Sequence, residues 1–277
     1  MRAFVADFGL TVAKDLPHAL HLLSEGALPF AGGTDLMVLF NAGKLTPARF
    51  VSIRRLPELQ GISMNSEFLE IGAAVTYSEI RSHPQISSEF PLLAQSASWT
   101  GSIANQNRGT LGGNIANASP AADSSPVLLV YDAELKMVSE SGERWVPYSQ
   151  FHLGYKAMTL KKGELITCIR MPRGRFSAQY GRKVGTRKAM AISKVSFAAI
   201  SKIGAFRIGL GSVAPMPIRC TNTEQFLASQ KMTPAAIAEA QVIIATEISP
   251  ISDIRSTRDY RLAVTQNLLG EFLESLL

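Results

Sequence analysis

Apolar residues recur along this chain with two periods, and the changes between them lay out its elements. Leu16, Ala19, Leu20 and Leu23 fall at i, i+3, i+4 and i+7, which predicts a helix capped by Asp15 and ended by Gly26. Ala27–Ala31 reads as a short strand, and Leu36 to about Ala42 as a second helix capped by Thr34 or Asp35. Arg49–Ile53 and Phe68–Gly72 read as strands, and Tyr77–Ser82 and Pro91–Trp99 as helices, while Gly101–Arg108 has no period. Val127–Tyr131 continues a helix that Pro126 kinks or restarts. Glu134–Val138 and Arg144–Val146 pair as a hairpin across Ser141-Gly142, and Glu164–Met171 is a strand closed by Pro172. The stretch Arg173–Arg187 gathers arginines, lysines and glycines, so a domain boundary is expected near 172. Beyond it Lys194–Ser201 and Phe206–Val213 form an antiparallel pair around Gly204, with Pro215 and Pro217 ending the sheet. Three helices follow, Asn222–Ser229, Pro234–Thr246 and Thr257–Leu276, the last with Leu262, Thr265, Leu269, Phe272 and Leu276 on one side.

Two glycine pairs interrupt this pattern. In Thr110–Asp123, Gly112-Gly113 leaves backbone N–H groups open to a ligand, and Asn114, Asn117 and Asp123 add polar groups that a simple turn does not need. Ser119-Pro120 reads as the N-cap and first residue of a helix, so a positive helix end is expected after the loop. The upstream pair, in Ala31-Gly32-Gly33-Thr34-Asp35, lies between a strand and a helix and aims its N–H groups at one point. An isolated Gly-Gly most often marks a tight turn; two in this context suit an extended anion such as a nucleotide pyrophosphate. Neither is a Walker loop or a G-x-G-x-x-G fingerprint, so a standard dinucleotide fold is disfavoured.

The length of 277 residues allows one large or two ordinary domains, and 46% apolar with 18% charged residues is a globular composition. The net charge of +6 is spread over short clusters without interleaved aromatics, which argues against nucleic acid and for an anionic cofactor or acidic partner. Cys168 and Cys220 stand far apart, which excludes a cysteine-ligated iron–sulfur cluster or zinc site made by this chain alone, and two scattered cysteines fit a reducing cytoplasm. The N-terminal residues lack the apolar core of a signal peptide, and no apolar run approaches the ~18 residues of a membrane span, so a cytoplasmic chain is expected. His18, His21, His83 and His152 are dispersed without metal-ligand spacing.

With both loops placed, the chain resembles the FAD-binding, medium subunit of the molybdenum hydroxylases, a group that includes xanthine, carbon monoxide, aldehyde and N-heterocycle dehydrogenases. The resemblance rests on Phe30–Leu36, on Gly109–Asn114 with Ser119-Pro120 and Asp123, and on Gly154-Tyr155-Lys156. Gly163-Glu164-Leu165-Ile166, Lys183 with Arg187–Met190, and Val213–Arg219 continue it in family order over nearly the whole chain. It implies an α+β fold: a p-cresol methylhydroxylase-type FAD-binding domain over 1–172, with subdomains of about 1–55 and 56–172, then a domain over 173–277 with a three-stranded sheet and helices. Phe30, Ala31, Gly32, Gly33, Thr34, Asp35 and Leu36 would form the first pyrophosphate loop, and Thr110, Gly112, Gly113 and Asn114 the second. Asn114, Asn117 and Asp123 would lie along the ribityl, pyrophosphate and adenosine part, Ile166 would pack on the flavin or adenine region, and Lys183 would sit near the pyrimidine edge as a cation that raises the potential. The chain departs from the family at Thr100, where an aromatic or branched residue usually stacks near the flavin, and at Ala104-Asn105-Gln106-Asn107, where Gln-x-Arg-Asn is usual. Trp99 reads as a core tryptophan.

The implied function is electron transfer. Electrons would arrive from the [2Fe–2S] clusters of a small partner subunit, after chemistry at the molybdenum cofactor of a large one, and leave FAD for NAD⁺ or another acceptor. No membrane and no nucleic acid are expected, and this chain supplies no catalytic base. Two other readings exist: a stand-alone FAD oxidase, which would need a longer cap domain and often a His or Cys tether, and a non-catalytic nucleotide-binding scaffold holding no flavin.

Overall fold

The computed structural model describes residues 8–45, 49–202 and 204–277. Its first unit is a parallel three-stranded sheet. Strand β1 (Gly9–Val12) and β2 (Leu28–Phe30) flank β3 (Arg49–Ser52), with Leu10 and Leu28 both opposite Phe50. Helix α1 (Leu16–Ser24) crosses between β1 and β2, its Asp15 carboxylate accepting the His18 N–H at 2.8 Å, and buries Ala19, Leu20 and Leu23. Helix α2 (Leu36–Asn41) leads toward β3. Asp35, one of the two expected caps, occupies the cap position, but in helical φ/ψ and without a side-chain cap bond.

The second unit holds the antiparallel order β4-β5-β10-β6-β7. Its strands are β4 (Ile62–Met64), β5 (Phe68–Gly72), β6 (Glu134–Ser139), β7 (Gly142–Pro147) and β10 (Leu165–Pro172). Strand β10 lies at the centre, pairing Ile169 with Ile71 on one side and Leu135 on the other. A small hairpin of β8 (His152–Gly154) and β9 (Ala157–Met158) stands apart from it. Between β5 and β6 run α3 (Tyr77–Ser82), α4 (Pro84–Glu89), α5 (Pro91–Trp99), α6 (Ile103–Gln106), α7 (Leu111–Ala116) and α8 (Ser125–Val130). The stretch without a period, Gly101–Arg108, therefore contains a helical turn, set by a capping box between Ser102 and Asn105.

The third unit is an antiparallel sheet, β11 (Ala178–Val184), β12 (Val195–Lys202), β13 (Ala205–Gly211) and β14 (Ile218–Arg219), covered by α9 (Thr221–Ser229), α10 (Pro234–Glu247) and α11 (Arg258–Glu274). It has four strands, and Pro215 and Pro217 do not end it: the chain returns so that Ile218 pairs with Leu210 and Arg219 with Gly209. Prolines need only avoid ladder positions, and here they sit in the connection.

Strand β12 is buried on both faces. Val195, Phe197 and Ala199 join the core under α10 and α11, whereas Ala198 and Ile200 join the core of the first two units. Helix α8 lies directly on β13, where Gly209 leaves room: a Cβ there would stand 2.4 Å from the Pro126 carbonyl oxygen. Among the described residues no helix is long and apolar enough to cross a membrane.

Candidate functional site

A cleft of about 980 Å³ opens where the three units meet. Its first wall is the loop between β2 and α2. Gly33 adopts φ +73°, and a Cβ there would strike the Phe30 ring at 2.6 Å. Gly32 is pressed against the next unit so closely that a Cβ would lie 1.9 Å from the Arg108 carbonyl oxygen. Across Ala31–Leu36 no backbone N–H has a hydrogen-bond partner among the described residues, and Met37 is the first to find one, the Gly33 carbonyl at 2.9 Å. Successive unpaired N–H groups on a curved loop form an anion-binding concavity. Ala31, Gly32, Gly33, Thr34, Asp35 and Leu36 all line the cleft, but Phe30 does not: its ring supports the loop from beneath and packs on Phe50.

The second wall is α7, and it differs from expectation. The helix starts at Leu111, capped by Thr110, so the glycine pair lies inside its first turn. The amides are already committed: Leu111 N–H to the Val75 carbonyl at 3.0 Å, Gly112 to Ala73 at 2.9 Å and Gly113 to the Thr110 hydroxyl at 3.1 Å. Gly112 therefore serves packing, since a Cβ would stand 2.6 Å from that of Ala73. Ser119-Pro120 does not begin a helix either. Residues 117–124 form a run of turns with Ala118 at φ +47°, the Ser119 hydroxyl accepting from Ala121 N–H at 3.3 Å, and α8 starts only at Ser125. A serine that closes such a local turn competes with its own capping role.

What α7 and its caps offer the cleft is a bare glycine surface with the Thr110, Asn114 and Asn117 side chains around it. Thr110, Gly112, Gly113, Asn114 and Asn117 line it, as do Asp123 and the buried Ile166 of β10. The Asn114 Oδ1 accepts from the Ser124 hydroxyl at 2.7 Å, and the Tyr77 hydroxyl lies 3.5 Å from Ser124 Oγ. Burial pushes the Tyr77 phenol far up, so it stays protonated.

Lys183 does not line the cleft. Its Nζ donates to Asp123 Oδ2 at 2.6 Å and to the Trp99 carbonyl at 2.9 Å, with both ion-pair side chains under 10% exposed (9% and 8%). The second Asp123 oxygen accepts from Ser193 at 2.6 Å. Burial pushes the Asp123 carboxyl up, opposed by Lys183 and Ser193. Lys183 thus stands behind Asp123, and the pair presents a dipole rather than a free cation. Trp99 itself packs against Gly181 of β11, and Thr100 lines the cleft beside it.

The C-terminal unit closes the far end with residues that periodicity alone did not single out. Ser212 (φ +68°), Asp253, Arg255 and Arg261 line it. Arg261, 3% exposed, donates to the Lys194 and Ser212 carbonyls at 3.0 and 2.7 Å and to Asp253 at 2.7 Å. Desolvation pushes Asp253 up, but the Arg255 and Ser256 N–H groups and the Arg261 charge prevail and hold its pKa at about 2. Tyr155 and Lys156, on the β8–β9 turn, complete the rim. Their only sequence signal was the Gly154-Tyr155-Lys156 match.

Residues 6–174 match the family described as "FAD binding domain in molybdopterin dehydrogenase", and residues 181–276 the "CO dehydrogenase flavoprotein C-terminal domain". The chain is 30% identical to a xanthine dehydrogenase FAD-binding subunit of Escherichia coli O157:H7, over 92% of this chain and 91% of that one. It is 29% identical to a glyceraldehyde dehydrogenase medium chain of Sulfolobus acidocaldarius, over 95% of each. Its fold superposes on a chain of a carbon monoxide dehydrogenase from Hydrogenophaga pseudoflava with a TM-score of 0.91 at 26% identity, covering 97% and 96% of the two chains.

Proposed function

The chain belongs to the molybdenum-hydroxylase flavoproteins, oxidoreductase subunits that bind FAD, and we propose that it carries electrons from a [2Fe–2S] partner to NAD⁺ or another acceptor. The N–H groups of Ala31–Leu36, without a partner among the described residues, on a loop that lines the same cleft as Asn114 and Asn117, carry this reading. The residues fit the cofactor: a diphosphate needs many donors and no bulk, and the Cβ-free backbone at Gly32 and Gly33 provides both. The cleft, about 980 Å³, lies at the upper end of the range for a large ligand.

In this reading the loop 31–36 holds the diphosphate, the Asn114 and Asn117 amides donate to oxygens beside it, and Ile166 packs against a ring. Asp123 faces the cofactor with its charge balanced by Lys183, so Lys183 tunes the site through Asp123. Bound FAD supplies the ability to collect electrons singly and release them as a pair. The protein's task in this reading is positioning. The partners are a small [2Fe–2S] subunit and a large subunit with the molybdenum cofactor. The relatives are named for substrates as different as xanthine and glyceraldehyde at nearly equal identity, which supports a substrate chosen in the large subunit.

An absorbance spectrum of the purified chain, with acid release and identification of the flavin, tests the reading. Visible flavin bands with non-covalent FAD are expected. A colourless chain that takes up no added FAD refutes it.

A further inference from the structure

We propose that Ser124, oriented by Tyr77, is a positioning residue that fixes the Asn114 side-chain amide as a hydrogen-bond donor to the cofactor. The proposal rests on the reading of the cleft as the FAD site. An asparagine amide has an acceptor end and a donor end of nearly equal shape, so a ligand meets one or the other according to what holds it. Here the acceptor end is taken: Ser124 Oγ lies 2.7 Å from Asn114 Oδ1, and Ser124 is fully buried.

A hydroxyl carries one proton. Once Ser124 gives it to Asn114, Ser124 can only accept from the Tyr77 hydroxyl, 3.5 Å away. Tyr77 is itself held in place, 2% exposed, with its N–H donating to the Gly109 carbonyl at 3.1 Å. The serine proton therefore points at Asn114 Oδ1, and the Tyr77 hydroxyl can donate to Ser124 Oγ behind it. The Asn114 Nδ2 has no partner among the described residues, and Asn114 lines the cleft. A reversed amide would set its N–H groups against the proton that Ser124 directs at Asn114.

The arrangement matters because the first-turn amides of α7 are spent on Val75, Ala73 and Thr110. The helix reaches its ligand through Asn114, and the Tyr77–Ser124 chain makes that contact a donor. The matching ligand group is one that can accept there, a phosphate oxygen or the oxygen of a ribityl hydroxyl, and a group that can only donate would be rejected.

The test is a double-mutant cycle read by FAD titration of the full chain, with thermal melting of the apoprotein alongside. Ser124→Ala should weaken FAD roughly tenfold. In an Asn114→Ala background it should weaken FAD no further, because the residue acts through Asn114. Ser124→Thr, which keeps the hydroxyl, should retain affinity. Equal weakening in both backgrounds, or none in either, overturns the proposal. If Ser124→Ala does not fold, Tyr77→Phe enters the same cycle, where a smaller loss that vanishes beside Asn114→Ala supports the proposal and an additive or absent one overturns it. Wild-type chain that binds no FAD refutes the parent reading and this one together, whereas FAD-binding wild type with additive variants refutes only the positioning role.

Discussion

Replacing Gly32 by alanine tests whether the first loop is the anion cradle. Gly32 does not have positive φ, so the added methyl acts through sterics alone. An ideal Cβ would lie 1.9 Å from the Arg108 carbonyl oxygen and 2.7 Å from its carbon, both backbone atoms that cannot swing aside. Reaching even a 3.0 Å separation moves the loop or the 105–109 segment by about 1 Å. Such overpacking costs roughly 1–3 kcal/mol of stability. The effect on binding should be larger. A shift of this size takes the N–H groups of 31–36 off their ligand, and hydrogen bonds to charged groups contribute roughly 1.5–3 kcal/mol each. Losing two of them weakens FAD by roughly 10²-fold to 10⁴-fold. The assay is FAD titration by flavin fluorescence with thermal denaturation of the apoprotein, using Gly9→Ala as the control because nothing lies within 4 Å of its Cβ. If Gly32→Ala binds FAD within a factor of about three of wild type and melts unchanged, the cradle argument is wrong.

Lys183→Met leaves the Asp123 carboxyl buried beside Ser193 alone, and should cost about 3–5 kcal/mol at neutral pH, much of it recovered in Lys183→Met/Asp123→Asn. Burial already raises that carboxyl in the wild type, so without Lys183 its folded pKa rises further above the unfolded value; melts across pH should show the variant most stable in acid and losing stability as pH rises. Asp253 has the opposite sign. With its folded pKa held at about 2, its contribution is present above the unfolded value near 3.9 and is lost as pH falls toward 2, and Asp253→Asn should remove that acid sensitivity and destabilise the chain by leaving Arg261 buried without its carboxylate. Gly209→Ala should cost about 1–3 kcal/mol in chemical denaturation, because its Cβ meets the Pro126 carbonyl oxygen at 2.4 Å.

Periodicity located most of the elements. The helix at Leu16–Ser24 carries its core face and its cap in four apolar positions and one aspartate, and the hairpin at 134–147 announces its turn by Ser141-Gly142. Elements too short to show a period were not legible (β1, β4, α4, α6, the β8–β9 hairpin and the two-residue β14), and the seven-residue β11 was hidden in the charged, glycine-rich stretch that reads as a domain boundary. Both glycine pairs line one cleft, but they do not play the same part in it. Both look alike as sequence, yet Gly32-Gly33 frees its amides while Gly112-Gly113 uses them against Val75, Ala73 and the Thr110 hydroxyl. That difference depends on what lies across the interface, which no local pattern contains. Asp123 and Lys183 were singled out separately; their pairing across 60 positions comes from β11 lying beside the 117–124 turns. In sequence nothing separates Arg261 from the other charged positions of the last helix, and only its burial against Lys194, Ser212 and Asp253 distinguishes it.

The two-sided burial of β12 bears on how such subunits can be recombined. A chimera joining residues 1–172 to the remainder of a relative looks natural from the linear order of the units, yet the seam in space runs through one strand. Its Ala198 and Ile200 must fit the amino-terminal core while Val195, Phe197 and Ala199 fit the other. The donor must also supply glycine opposite Pro126 and a lysine and serine for Asp123. Grafting is therefore a matching problem across the sheet face, and exchange should succeed in proportion to how many of these few positions travel together.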